Sequence, residues 1–229
     1  MATDQMTEAQ WLESADPFPM LQWVWSRLSD RQGRLLACAA CRQIGHLLKD
    51  PRTTDALNVA ERFADGTATP EELEAAHKGA AKAQNAQKRK ALLFAYSAVM
   101  DASAPWRDRA FGLSLTSGAL RGAVQGKVLE AEPRLGYAHL QRDRPEAFAP
   151  MAVLVRHIAG NPFRDIPRPK NWSSVVRELT AALYAGEDRV EALHDALAAA
   201  QQGELAEHLQ QDIGHAKGCW ALDLILGKR

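Results

Sequence analysis

Cysteine is scarce in this chain, and the scarcity excludes a disulfide framework. Only three occur among 229 residues. The count is odd, and two of them, Cys38 and Cys41, sit too close on an expected helix to pair comfortably. Net charge is also missing, because 28 basic residues balance 28 acidic ones. A general nucleic-acid binder normally carries a basic excess, so nucleic acid is not the expected partner, although "QKRK" at Gln87–Lys90 is a local basic run. No window approaches the roughly 18–20 apolar residues of a membrane span, and no membrane partner is expected. The stretch "MATDQMTEAQWLESADP" has early acidic residues and no continuous apolar segment, unlike a secretory signal. With no disulfides to form, a reducing compartment, the cytoplasm, is the expected location. Strand-like alternation and a glycine-rich phosphate loop are absent too.

What the chain does contain is helical periodicity. Thr7 with Gln10 three residues later makes a capping-box opening, and Asp16-Pro17 ends that first helix. Met20, Leu21, Val24, Trp25 and Leu28 recur at three and four in a second helix. A third is expected from Asp30 to about Lys49, and a fourth from Pro51, with Gly66 in the left-handed terminal position. Thr69, Pro70, Glu71 and Glu72 open a long alanine-rich helix, whose polar stretch Ala75–Gln87 reads as solvated. Residues 105–131 carry several glycines, each costing roughly 1 kcal/mol in a helix interior. An irregular link is expected near Glu132–Pro150. Further helices are expected before Gly160, from Asn171 or Ser173 to Tyr184, over Asp188–Ala200 and Leu205–Gln211, and at the end of the chain. The expected fold is all-α: a single multi-helix domain over 1–229. Its N-terminal part 7–66 and C-terminal part 150–228 are expected to pack together around a variable helical middle, 69–145. A proline-rich loop is expected near 161–171.

Three stretches carry candidate chemistry. In "LLACAACRQIGHLL", Cys38 and Cys41 share a helix face. In "HAKGCWALDLILGK", His215 and Cys219 would do the same on a helix. Cys38, Cys41, His215 and Cys219 together make a Cys₃His set of the kind that holds structural zinc, so zinc is the one cofactor the residues suggest. Against it, zinc-binding CxxC pairs sit in tight turns, whereas these flanks are helical. Free cysteine is often simply packed in the core, and that reading is preferred. Redox catalysis needs a thiolate at a helix start beside a βαβ unit, and neither is visible. A nucleophile pairing Cys219 with His215, or Cys41 with His46, would need an accessible, electropositive setting, and no catalytic residue is assigned. In "VRHIAGNPFRDIPR", Arg156, Arg164 and Arg168 are candidate contacts for an anionic group or a partner's acidic segment, with Phe163 and Trp172 expected to anchor the loop. Trp23 falls off the apolar face of its helix and is a candidate partner contact. Arg42 can pair with Glu61 or Asp65.

Read together, "TEAQWLESADPFPML", "LLACAACRQIGHLL", "AERFADG", "GNPFRDI" and "HAKGCWALDLILGK" resemble a family of uncharacterised proteins abundant in planctomycete bacteria. The resemblance covers roughly residues 7–75 and 150–228 and brings no activity with it. It implies further cysteines at the positions of Ser14, Ala40 and Leu209. This chain lacks those and keeps Cys38, Cys41, His46, His208, His215 and Cys219. The expected function is a non-catalytic helical interaction or regulatory scaffold module whose partner is another protein. The alternatives are a Cys/His- or metal-dependent hydrolase and a nucleic-acid-associated accessory protein acting through Lys82–Lys90.

Overall fold

Local capping chemistry sets the first helices. In the computed structural model, which describes residues 6–136, 138–167, 169–210 and 214–228, α1 spans Glu8–Glu13. Its Thr7–Gln10 capping box is made in both directions. The Asp16 carboxylate accepts from Phe18 N–H at 3.0 Å and opens α2, Pro17–Val24, which a short 3₁₀ turn at Trp25–Arg27 continues. The next cap is Ser29 rather than Asp30. Ser29 and Gln32 form a second capping box ahead of α3, Asp30–Arg42, and "SDRQ" carries that signature one residue earlier than expected. α3 stops short of Lys49. The chain tightens into a 3₁₀ turn at Gly45–Leu47, as a glycine near a helix end favours. α4 follows over Pro51–Ala64, with Gly66 at φ 71° as expected.

The alanine-rich helix is present as α5, Pro70–Asn85, opened by a Thr69–Glu72 capping box. It ends earlier than expected, and α6 occupies Lys90–Ser103. Nor is α5 simply solvated: Ala76, Ala80 and Ala83 are buried, and α5 packs on α4 and α6. Alanine serves here as a thin side chain that lets helices approach.

The same logic explains α7, Arg109–Ala131, whose glycines weaken it as a sequence signal. A Cβ on Gly122 would lie 2.9 Å from the Phe94 carbonyl oxygen, and one on Gly126 would lie 3.1 Å from Ala95 Cβ. The glycines thus admit α6 to near backbone contact, and packing outweighs propensity. α3 contacts α4, α6 and α7, so the middle segment shares one core with the N-terminal helices. Arg34, only 4% exposed, donates from Nη1 to the Ala102 and Ala104 carbonyls at 3.1 and 2.9 Å. A buried cation thereby satisfies the negative end of α6. α8, Leu140–Asp143, and a 3₁₀ turn at Pro145–Phe148 lead into α9, Ala149–Ala159.

The chain divides into two compact units, Met1–Arg156 and His157–Arg229, and the division falls inside α9. The second unit holds the last residues of α9 and four further helices: α10 Ser174–Tyr184, α11 Val190–Ala199, α12 Gly203–Leu209 and α13 Trp220–Leu226. Ser173 caps α10 through Val176 N–H. Val176, Leu193, Leu197, Leu205, Leu209, Leu222 and Ile225 form its core, with Trp172 packed against it. Among the described residues all regular structure is helical, and no helix is long and apolar enough to cross a membrane.

Candidate metal centre

Three chain segments of the second unit converge on one buried point. His157 lies near the end of α9, which Gly160 stops at φ 71°. A Cβ on Gly160 would stand 3.2 Å from the Trp220 ring, so the glycine also makes room for that indole. His208 occupies the last turn of α12. His215 lies in the connection to α13, and Cys219 is the N-cap residue of α13, entered through Gly218 at φ 87°.

The four side chains offer one nitrogen or sulfur each, all within 4.8 Å of one another. His208 Nε2 is 3.1 Å from Cys219 Sγ, and His215 Nδ1 is 3.8 Å from the same sulfur. The His157 ring stacks on His208 at 4.9 Å between centroids and stands 5.3 Å from His215. Around this set, His215 Nε2 contacts the Leu209 carbonyl at 3.2 Å. Trp220 Nε1 donates to His208 Nδ1 at 3.2 Å. His157 is 1% exposed, yet among the described residues neither of its ring nitrogens has a hydrogen-bond partner.

Burial dominates the electrostatics. It lowers the His157 pKa to about 3, with His208 and His215 adding repulsion. It lowers His208 to about 4, again with His215 contributing. Burial also lowers His215, against the opposing pull of its bond to Leu209. The Cys219 thiol is pushed up to about 12 by burial, which the backbone N–H groups of Leu222 and Ala221 oppose without overcoming. At neutral pH the centre is therefore three uncharged imidazoles and one thiol. A closed-off, protonated thiol is a poor nucleophile, but neutral imidazole and cysteine sulfur are metal donors. The cluster is compatible with metal binding.

Of the four candidate ligands in the sequence, this group contains His215 and Cys219, alongside His157 and His208. Cys38 and Cys41 lie buried in α3, in the first unit, and are not of the group. Burial raises the Cys41 thiol pKa well above its usual value, and His46 pairs with Glu130 at 2.9 Å. In the sequence His157 belongs to an arginine-bearing loop motif, about fifty residues before His208. The one local signal for His208 is its place seven residues ahead of His215, with Cys219 four beyond.

The candidate partner contacts fare unevenly. Trp23 is half-buried, tilted against Trp11 at 5.9 Å, with the Arg27 guanidinium 4.0 Å from its ring centre. Arg156 is turned inward as a helix cap. Its Nη1 donates to the carbonyls of Trp11 and Ser14 at 3.0 and 2.9 Å, satisfying the end of α1. Arg164 is exposed, and Arg168 lies outside the described residues. Phe163, expected as an anchor, is 38% exposed; Asn161 accepts from its N–H at 3.0 Å, as expected of an Asn turn. Arg42 pairs with Glu61 at 2.9 Å, and Asp65 is taken by Arg31 at the same distance. Lys82, Lys88, Arg89 and Lys90 are exposed around the α5–α6 connection. No protein-family model, curated protein or solved structure matches the chain.

Proposed function

We propose that the protein is a non-catalytic helical interaction or scaffold module, acting with a protein partner in a reducing compartment. Its C-terminal unit is organised by one zinc ion on His157, His208, His215 and Cys219. The observation that carries this reading is His157: a fully buried imidazole with both nitrogens unpartnered among the described residues. Burying the ring without partners costs about 1–3 kcal/mol, and a metal bond at one nitrogen relieves part of that cost.

The donor set supports the same reading. Bonds of about 2.3 Å to sulfur and about 2.0 Å to nitrogen in a tetrahedron put N and S about 3.5 Å apart. The observed 3.1 and 3.8 Å lie on either side, and inward rotation of the rings closes the rest. Four protein ligands fill the tetrahedron and leave no position for a substrate, which favours a structural ion over a catalytic one.

The test is to strip the protein with a chelator and titrate it with cobalt(II). Tetrahedral coordination by three imidazoles and a thiolate gives intense visible ligand-field bands and a sulfur-to-cobalt charge-transfer band. Both should saturate at about one ion per chain and vanish as zinc displaces cobalt. A weak octahedral spectrum, or no saturation, overturns the proposal.

A further inference from the structure

Resting on the zinc reading above, the geometry points to a regulator of that same centre: the indole N–H of Trp220, which competes with the ion for His208. Indole Nε1 can only donate, so His208 Nδ1, 3.2 Å away, must accept. A neutral imidazole has one N–H, so the His208 proton sits on Nε2, facing Cys219 Sγ at 3.1 Å. In this arrangement Trp220, His208 and Cys219 form one donor chain.

Neither nitrogen of His208 can take an ion while that chain persists. Ligation through Nε2 requires the proton to move to Nδ1, where it meets the Trp220 N–H head on. Ligation through Nδ1 uses the very lone pair that Trp220 occupies. Metal binding therefore breaks the Trp220–His208 bond by either route.

The neighbouring ring behaves differently. His215 donates from Nε2 to the Leu209 carbonyl, which leaves its Nδ1 lone pair directed toward Cys219. A carbonyl bonded behind the ligating ring is the usual support for a metal-bound histidine. His215 is thus preset for the ion, while His208 is held back from it. Trp220 is a positioning residue, and it also lies against Gly160 at the end of α9, so its release links occupancy of the centre to the turn that follows α9.

Two measurements on the full chain test this. In the first, ring and indole ¹⁵N–¹H spectra are recorded before and after one equivalent of zinc. The metal-free protein should show His208 protonated at Nε2 and the Trp220 N–H hydrogen-bonded. The zinc form should show His208 with one nitrogen metal-bound and the Trp220 resonance shifted, with faster solvent exchange. Zinc bound at one per chain with the Trp220 resonance unmoved overturns this inference and leaves the metal reading standing. No zinc binding overturns both.

The second measurement is the zinc affinity of Trp220→Phe, which keeps an aromatic ring and deletes the donor. With the competing bond gone, affinity should rise about five- to tenfold, the equilibrium value of one ordinary hydrogen bond. A purely structural tryptophan would predict weaker binding, and a fall or no change in affinity contradicts the inference. Should the variant fail to fold, the wild-type spectra decide alone.

Discussion

His157→Phe makes the metal-free protein more stable and abolishes stabilisation by zinc. In the metal-free wild type, His157 carries two buried polar atoms with no partner among the described residues. Phenylalanine has a similar shape and no such atoms, so the substitution should gain about 1–3 kcal/mol. The gain is reversed by the ion. A ligand present at about a thousand times its Kd stabilises the folded state by about 4 kcal/mol. In a unit of this size, that is a melting-temperature rise of about 15 °C or more. Wild type should therefore melt below the variant in chelator and above it in zinc. Calorimetric melts of both proteins under both conditions check the crossing. An ordinary core histidine would give parallel shifts and no crossing. Sites built for a ligand commonly sacrifice stability in its absence.

Acidification should unfold the metal-free C-terminal unit first. The folded pKa values of His157 and His208, about 3 and about 4, lie below the usual value of about 6.5 in an unfolded chain. Between those limits the unfolded state binds protons that the folded state refuses. The stability is complete above about pH 6.5 and is lost as pH falls toward the folded values. By pH 5 the two histidines together remove on the order of 4 kcal/mol at most. The first unit contains an opposite case. Burial raises the Asp101 carboxyl to about 6, so lowering the pH from neutral relieves its buried charge and favours folding. Chemical unfolding of chelated protein at pH 7.5 and pH 5, followed through probes in each unit, should show the second unit weakening and the first holding. Parallel behaviour of the two units would contradict this account.

Much of the helical framework is legible residue by residue. The capping pairs Thr7–Gln10 and Thr69–Glu72, and the cap Ser173, act within four residues of themselves. Local sequence is enough to find them. Gly66 and Gly160 are readable for the same reason, since each takes the left-handed turn after a helix. Misreadings arise where the deciding partner is distant. The glycines of α7 look like weakness until α6 lies against them, and Ala76, Ala80 and Ala83 look polar in context until α4 and α6 cover them. Arg156 looks available to a partner because the carbonyls it caps belong to α1, more than 140 residues earlier.

The candidate centre follows the same rule. His215 and Cys219 are one short segment and could be paired from spacing alone. His157 comes from another helix about fifty residues before His208, and no local pattern joins the two. Cys38 and Cys41 stand out in the sequence because CxxC is compact, but compactness in sequence does not select the residues that a fold brings together.

X-ray absorption at the zinc edge, on protein reconstituted with one equivalent of zinc, reads the ligand set atom by atom. Four-coordinate zinc is expected, with one sulfur at about 2.3 Å and three imidazole nitrogens at about 2.0 Å, and with the sulfur shell lost in Cys219→Ala. Two or more sulfurs, or a shell of light atoms without sulfur in the wild type, would contradict it.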